Sequence, residues 1–344
     1  MIGTGHLVRT GRLLDQLVGL GYQVQVVCPT STRKLITELW AFPFEAVTFN
    51  ANIQTTSDDY NTWLRRSREE EVAHIRKIIC ESNPKLLIVD HYGYDDDLLR
   101  GVTSSGMKIL VFDDLGFNLR YCNYRYDTTL PNGPKSEITC LAGQPTTISG
   151  PAYALIGRLN DEASTSGGMG GDEFVNTWLL YFGSNVGIPH LDKLALKILS
   201  LWPKDRIKCV YHSTDATFQV PVREDGLNIS SVNYVASLAD YSKNIDYCIG
   251  AAGSAHLERL ALKIPTLLFK TADNQTRFIE SIKRNQLAIY GGTLKEMFHY
   301  FDREGRHLKN RLRKIEGKLS NINIDDSGPK RLAMFISSEL ELMK

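Results

Sequence analysis

Six cysteines in 344 residues include no Cys-x-x-Cys pair, so the spacing that marks a structural zinc or a thioredoxin-like redox centre is missing. Cys28, Cys80, Cys122, Cys140, Cys209 and Cys248 are scattered, several of them inside apolar runs where a small buried hydrophobe fits. A reduced, cytoplasmic setting is the simplest expectation. No apolar run exceeds strand length, and the first residues lack the charged-then-apolar layout of a secretion signal, so the protein is expected to be soluble and unexported. Charge of one sign is scarce as well: 40 basic residues stand against 39 acidic ones, giving a formal net charge of +1 with no long run of either sign. Nucleic acid and anionic membranes find no electrostatic footprint here, and a small-molecule substrate fits better. The chain also has no Gly-x-x-x-x-Gly-Lys-Ser/Thr phosphate loop, no Gly-x-Gly-x-x-Gly dinucleotide turn and no Gly-x-Ser-x-Gly elbow. An ATPase or a nicotinamide enzyme therefore has little support.

What the chain does have is alternation. Short β-branched runs at 23–27, 45–49, 86–90, 109–113 and 146–149 are joined by amphipathic or turn-rich segments, the pattern of a doubly wound parallel sheet. Helical spacing covers 7–20 and 62–81, the second with Arg65, Arg66, Arg68, Glu69 and Glu70 as a solvated face. Between 162 and 172 the composition collapses into Ser, Thr and Gly, which cannot bury a core and reads as a linker or loop. Further strands at 178–182, 207–211, 232–235, 247–249, 266–269 and 287–290 repeat the architecture, and 308–318 and 331–343 read as helices that could pack back on the first domain. The length suits two domains, each with its own core. The expected division is a first α/β domain at 1–160, a linker at 161–176, a second α/β domain at 177–325 and a closing helix at 326–344.

Polar residues gather where such sheets place ligands, at the carboxyl ends of strands. Gly3-Thr4-Gly5-His6 runs a glycine turn straight into a helical segment with a histidine at the junction, a place that can hold an anion and a titratable base together. Only Met1 and Ile2 precede that turn, so the first domain's sheet, as written, is expected to lack the strand that ordinarily feeds it. The run 86–89 ends in Asp90-His91-Tyr92-Gly93, and 109–112 ends in Asp113-Asp114. Asp90 could equally cap the following helix, and His91 could be satisfied by a backbone bond. Three acids at neighbouring strand ends invite a metal, yet no histidine stands at ligand spacing, so no metal is expected. In the second half Gly250-Ala251-Ala252-Gly253-Ser254 precedes a helical pattern carrying Glu258, a turn suited to a diphosphate. Glu258 would then reach a ribose diol, or merely complement the helix dipole. Asp273-Asn274-Gln275 could bind sugar hydroxyls or close an Asx turn. Of the dispersed histidines, His256 is the one best placed to approach a ligand.

Taken together these motifs resemble the UDP-2,4-diacetamido-2,4,6-trideoxy-β-L-altropyranose hydrolases of pseudaminic (nonulosonic) acid biosynthesis. Ile2-Gly3-Thr4-Gly5-His6-Leu7-Val8-Arg9 is similar to that family's Ile-Gly-x-Gly-His-x-x-Arg, and Asp90-His91-Tyr92-Gly93 to its Asp-His-Tyr-Gly. Further likeness lies in 109–114, Gly150–Ile156, Gly250–Ser254 with Glu258, and Asp273–Gln275. The resemblance implies a glycosyltransferase-like fold of the GT-B type, two Rossmann-like domains facing a central cleft. It implies a metal-independent hydrolase in which His6 activates water for attack at the anomeric carbon and UDP leaves. Asp90 would orient the base and Tyr92 contact substrate, with Gly3, Gly5 and Arg9 beside them. Ala252, Gly253, Ser254, Glu258, Asn274 and Gln275 would hold the UDP-sugar. No cofactor, nucleic acid, membrane or obligate protein partner is implied. A glycosyltransferase using a UDP-sugar donor, or an inactive nucleotide-sugar binder, would share the same fold.

Overall fold

A computed structural model describes residues 4–50, 60–64, 66–131, 133, 135–159, 175–183, 191–211, 229–233, 238–241 and 243–342. Gly3 and the whole of the Ser/Gly-rich stretch 162–172 lie outside these described residues. The chain divides into two units, one of Met1–Pro131, Lys135–Leu155 and Ser327–Lys344, the other of Asn132–Pro134 and Ile156–Asp326.

The first unit opens with helix α1 (Thr4–Gly19), whose apolar residues Leu13, Leu14 and Leu17 recur at helical spacing and are buried. Strand β1 (Gln25–Pro29), α2 (Thr30–Leu39) and β2 (Glu45–Phe49) follow, and β1 pairs with β2 in parallel. The expected single helix at 62–81 is instead a 3-10 turn at Tyr60–Leu64 followed by α3 (Arg68–Ser82). A capping box explains the start of α3: Ser67 accepts from the Glu70 amide, and the Glu70 side chain accepts from the Ser67 amide. Arg66 is not on a solvated face; it pairs with buried Glu71 at 2.9 Å and lies over the Phe49 ring. Then come β3 (Leu86–Val89), α4 (Asp96–Val102), β4 (Lys108–Asp113), β5 (Tyr124–Asp127), β6 (Glu137–Thr139) and β7 (Thr146–Ser149). They form a sheet of order β3-β4-β5-β7-β6, parallel except for β6 against β7. Alternate residues of β4 serve two cores. Leu110 and Phe112 pack with Leu13, Leu17 and Trp40, whereas Ile109 and Val111 pack with Ile75, Ile79, Leu99 and Val102.

The second unit runs β8 (Thr177–Tyr181), α5 (Leu191–Leu201), β9 (Arg206–Tyr211), β10 (Ile229–Asn233), β11 (Tyr247–Ala251), α6 (Ala255–Ala261), β12 (Thr266–Lys270), α7 (Thr276–Asn285), β13 (Ile289–Thr293), α8 (Met297–Glu304) and α9 (Leu308–Leu319). Its six strands pair in parallel in the order β10-β9-β8-β11-β12-β13. The chain moves outward from β8 through β9 to β10, then returns to lay β11 on the other side of β8. Strand order therefore reverses between β8 and β11, the crevice where open α/β sheets bind ligands. At the opposite end of β8, buried Asp205 accepts from Trp178 Nε1 at 2.7 Å and pairs with Lys309 of α9 at 2.9 Å. That buried pair ties the helix under the sheet. The last helix, α10 (Gly328–Glu341), returns to the first unit, where Leu332, Ala333, Ile336 and Leu340 join the core beside α1. Gly328 is required there, since a Cβ would stand 2.1 Å from the Ala154 carbonyl oxygen. Among the described residues no helix is long and apolar enough to cross a membrane.

Candidate active site

At the start of α1, positions 6, 9 and 10 share one helix face by their three- and four-residue spacing. That face meets the carboxyl end of β3. His6 Nδ1 lies 2.6 Å from Asp90 Oδ1, and Arg9 forks onto the same carboxylate through Nε at 3.0 Å and Nη2 at 2.5 Å. Thr10 Oγ1 donates to Asp90 Oδ2 at 2.6 Å. The other guanidinium nitrogen, Nη1, reaches Asp114 at 2.9 Å, and Asp114 also accepts from Thr128 and from the Tyr92 hydroxyl, each at 2.6 Å. The Tyr92 ring meets the His6 imidazole edge-on at 4.9 Å and carries Tyr60 and Trp63 on its other contacts.

This cluster is buried, so its charges are set by one another. Burial alone would raise the Asp90 carboxyl, but Arg9 and His6 outweigh it and hold the group well below the usual carboxylate range. Burial also works on Asp114, and there too Arg9 dominates and lowers it. Burial works against the charge on Arg9, which the two carboxylates nevertheless raise further above its ordinary value. An ionised Asp90 at 2.6 Å can only accept, so His6 Nδ1 carries a proton toward it, and in the neutral ring Nε2 then keeps its lone pair. The arrangement can take a proton from a hydroxyl or water presented to Nε2.

Asp113, the neighbour of Asp114, faces elsewhere. Its Oδ1 accepts the amides of Leu115, Gly116 and Phe117, and Oδ2 stands 3.7 Å from Arg125. The helix after β3 is capped by Asp95, whose side chain accepts from the Leu98 amide, rather than by Asp90. His91 Nδ1 accepts from the Gly93 amide at 3.0 Å. Among the described residues no group of three His, Cys, Asp or Glu side chains is arranged to hold a metal ion.

In the second unit the glycine turn follows β11 at the strand-order reversal. Gly250 must lack a side chain, because a Cβ would sit 2.0 Å from both the Tyr181 carbonyl oxygen and Arg259 Nη1. Arg259 is fully buried and donates to the Tyr181 and Ala251 carbonyl oxygens, so it staples the carboxyl ends of β8 and β11. Burial, then the Arg259 charge, push buried His256 well below its ordinary value, and among the described residues neither ring nitrogen has a hydrogen-bond partner. Glu258 is buried and accepts from the Leu238 amide at 3.1 Å. Gln275 braces its loop through Thr271, accepting from its amide at 2.9 Å and donating to its hydroxyl at 2.7 Å. A Cβ on Gly253 would be 3.9 Å from Gln275 Nε2.

The structure thus brings His6, Arg9, Asp90 and Tyr92 together in the first unit, with Gly5 in the first turn of α1. It brings Gly253 beside Gln275 in the second unit, with Ala252 and Ser254 in the same turn and Asn274 in the adjoining 3-10 turn Asp273–Gln275. Thr10, Thr128 and Arg259 are members of these clusters that sequence reasoning overlooked. Thr10 was findable, being four residues after His6 on one helix face. Thr128 and Arg259 carried no local signal.

Both units are Rossmann-like, and the fold is of the GT-B type. Searched as a sequence, the chain matches no protein-family model and no curated protein. Solved structures similar to it span almost its whole length. MurG from Acinetobacter baumannii is 14% identical, with a TM-score of 0.65 over 98% of this chain and 97% of that one. An MnaA–UDP complex from S. aureus is 10% identical, with a TM-score of 0.59 over 98% and 94%. The spinosyn rhamnosyltransferase SpnG, complexed with spinosyn aglycone, is 11% identical, with a TM-score of 0.59 over 98% of both chains.

Proposed function

We propose that this chain is an enzyme acting on a UDP-sugar, a glycosyltransferase in which His6 Nε2 takes the proton of an acceptor hydroxyl. As that oxygen bonds to the anomeric carbon, the bond from the same carbon to the diphosphate oxygen breaks and UDP leaves with the electron pair. The observation that carries this reading is the 2.6 Å contact between His6 and an Asp90 held ionised by Arg9. An imidazole held in one orientation can both take and shed a proton. UDP recognition falls to the second unit. The amides of Ala252, Gly253 and Ser254 would face the diphosphate, Glu258 the ribose, and Asn274 and Gln275 the sugar. The rhamnosyltransferase SpnG and the UDP complex of MnaA, both of the same fold, support this assignment by likeness.

A second reading is favoured by the runs Ile2–Arg9 and Asp90–Gly93: a hydrolase of a UDP-linked diacetamido-trideoxy hexose, with water in place of the acceptor. UDP release from the UDP-sugar alone separates the two, since a hydrolase needs no acceptor and a transferase stalls without one. In either case His6→Ala is expected to lower kcat by roughly 10²- to 10⁴-fold while UDP affinity stays near normal. Turnover that survives in His6→Ala would remove His6 from the mechanism, and saturable UDP binding with no release under any condition would leave only a binder. Arg9 already compensates Asp90 and Asp114, and loop amides occupy Asp113, so turnover is expected to withstand EDTA.

A further inference from the structure

Beside the base stands a wall of aromatic rings. The 3-10 turn Tyr60–Leu64 brings Tyr60 and Trp63 to 5.1 Å between ring centroids, and the two meet the Tyr92 ring at 5.1 and 5.8 Å. Tyr92 in turn meets the His6 imidazole edge-on at 4.9 Å. The proton transfer assigned to His6 uses neither Tyr60 nor Trp63.

Two features hold the turn there. Leu64 is buried with Ile75, Leu98 and Leu99, so the end of the turn is anchored in the core. Gly93, which follows Tyr92, leaves room for that anchor, since a Cβ at position 93 would stand 3.0 Å from Leu64 Cγ and Cδ2. Tyr92 is buried and its hydroxyl donates to Asp114 at 2.6 Å, so its ring forms the floor of the wall. Tyr60 and Trp63 are only partly buried, which keeps aromatic surface within reach of a ligand.

The faces of such rings carry partial negative charge, and C–H groups beside electronegative oxygens carry partial positive charge. A pyranose presents C–H groups on its face while its hydroxyls radiate from its edge. It can therefore lay that face on an aromatic ring and offer a hydroxyl to a neighbouring imidazole at the same time. A linear polyol has the hydroxyls without the face. We propose that Trp63 and Tyr60 determine acceptor specificity, stacking the hydroxyl-bearing hexopyranose ring of the acceptor beside His6. The inference rests on the transferase reading above, in which an acceptor hydroxyl gives its proton to His6 Nε2. The wall makes and breaks no bond; it holds the ring so that one hydroxyl meets the base.

The test uses the full chain and reads binding without turnover. Methyl β-glycosides of glucose, galactose and N-acetylglucosamine are the probes, with sorbitol as the open-chain control. Saturation-transfer NMR identifies the contacting protons, and titration gives Kd. At least one glycoside should bind with its axial ring protons receiving most of the saturation, and sorbitol should not bind. Trp63→Phe keeps a ring face and should bind the glycoside like the wild type. Trp63→Leu keeps apolar volume without a face and should raise Kd by roughly two- to tenfold. Melting temperature and UDP affinity should match the wild type in both variants. Equal affinity in the Phe and Leu variants would overturn the proposal, as would a wild-type chain that binds no glycoside or binds sorbitol equally well. Loss of UDP affinity together with glycoside affinity would also overturn it, because the substitution would then act through the fold. If the ring bound only when carried on UDP, with UDP-glucose held more tightly than UDP and that gain lost in Trp63→Leu, the wall would belong to the donor sugar and the acceptor platform would be refuted. Failure of the underlying reading would look different: the glycosides would bind and depend on the Trp63 ring, yet UDP release from UDP-glucose would not depend on them, which would overturn the acceptor role and leave the ring contact standing.

Discussion

The proton on His6 Nδ1 is held in place by Asp90, and Asp90 stays ionised because Arg9 Nε, Arg9 Nη2 and the Thr10 hydroxyl all donate to it. Asp90→Asn keeps the shape but reverses one contact. A carboxamide NH₂ turned toward Nδ1 would drive the imidazole proton to Nε2, the atom that must accept. The expected result is a kcat lower by roughly 10²- to 10⁴-fold with UDP affinity unchanged, checked by steady-state UDP release and calorimetry. A melting curve separates the lost base from a folding defect, since Arg9 would retain Asp114 as its partner. Normal turnover in Asp90→Asn would mean that His6 does not need this carboxylate.

At the level of elements, two glycines set how closely helix and strand approach their neighbours. Gly11 lies on the face of α1 against Trp40, whose indole N–H donates to the Leu7 carbonyl at 2.8 Å, and a Cβ at position 11 would stand 2.2 Å from that nitrogen. Alanine is worth about 1 kcal/mol over glycine inside a helix, but overpacking a full core typically costs about 1–3 kcal/mol. Gly11→Ala is therefore expected to lower the melting temperature despite its better helix propensity, and a higher melting temperature would show that Trp40 yields. Gly250→Ala in β11 is the more severe change. Part of the clash there is with the Tyr181 backbone, which cannot swing aside. This variant should lose stability and UDP affinity together, as read by melting and by UDP titration.

For the whole molecule, acid should weaken the second unit more steeply than the first. Asp90 and Asp114 are lowered in the folded first unit. Their contribution is complete above the ordinary aspartate value of about 3.9 and is lost as pH falls below it. His256 is lowered in the folded second unit. Its unfolded form takes up a proton near pH 6.5 that the buried ring refuses, so stability is complete above about 6.5 and lost as pH falls. One such group contributes a slope of about 1.4 kcal/mol per pH unit. Urea midpoints followed on peptides from each unit should fall between pH 6.5 and 5 more steeply for the second unit than for the first, where burial lowers His74 less than it lowers His256. His256→Phe should flatten that slope. A wild-type second unit that stays level over this range would show that His256 can take up a proton where it sits.

Much of this organisation is local and could be read from the chain alone. Strand-period runs at 45–49 and 146–149 fall where β2 and β7 lie, and helical spacing marked α1, α6 and α9, because period-2 and period-3.6 burial is written into neighbouring residues. His6, Asp90 and the turn after 250 stood out for the same reason, as polar residues where an apolar pattern stops. Strand β5 escaped notice because Arg125 breaks its apolar character, and only the fold supplies Asp113 to offset that charge. The short edge strand β6 had too few residues to carry a pattern. The pairing of Arg9 with Asp90 and Asp114 joins residues 81 and 105 positions apart, and no local preference selects one carboxylate over another at that distance. Burial does, because in a desolvated cluster each charge must find its opposite. Strand order is likewise a tertiary property. Backbone groups along a strand bond to whatever strand lies beside them, so only the folded sheet decides that β8 stands between β9 and β11.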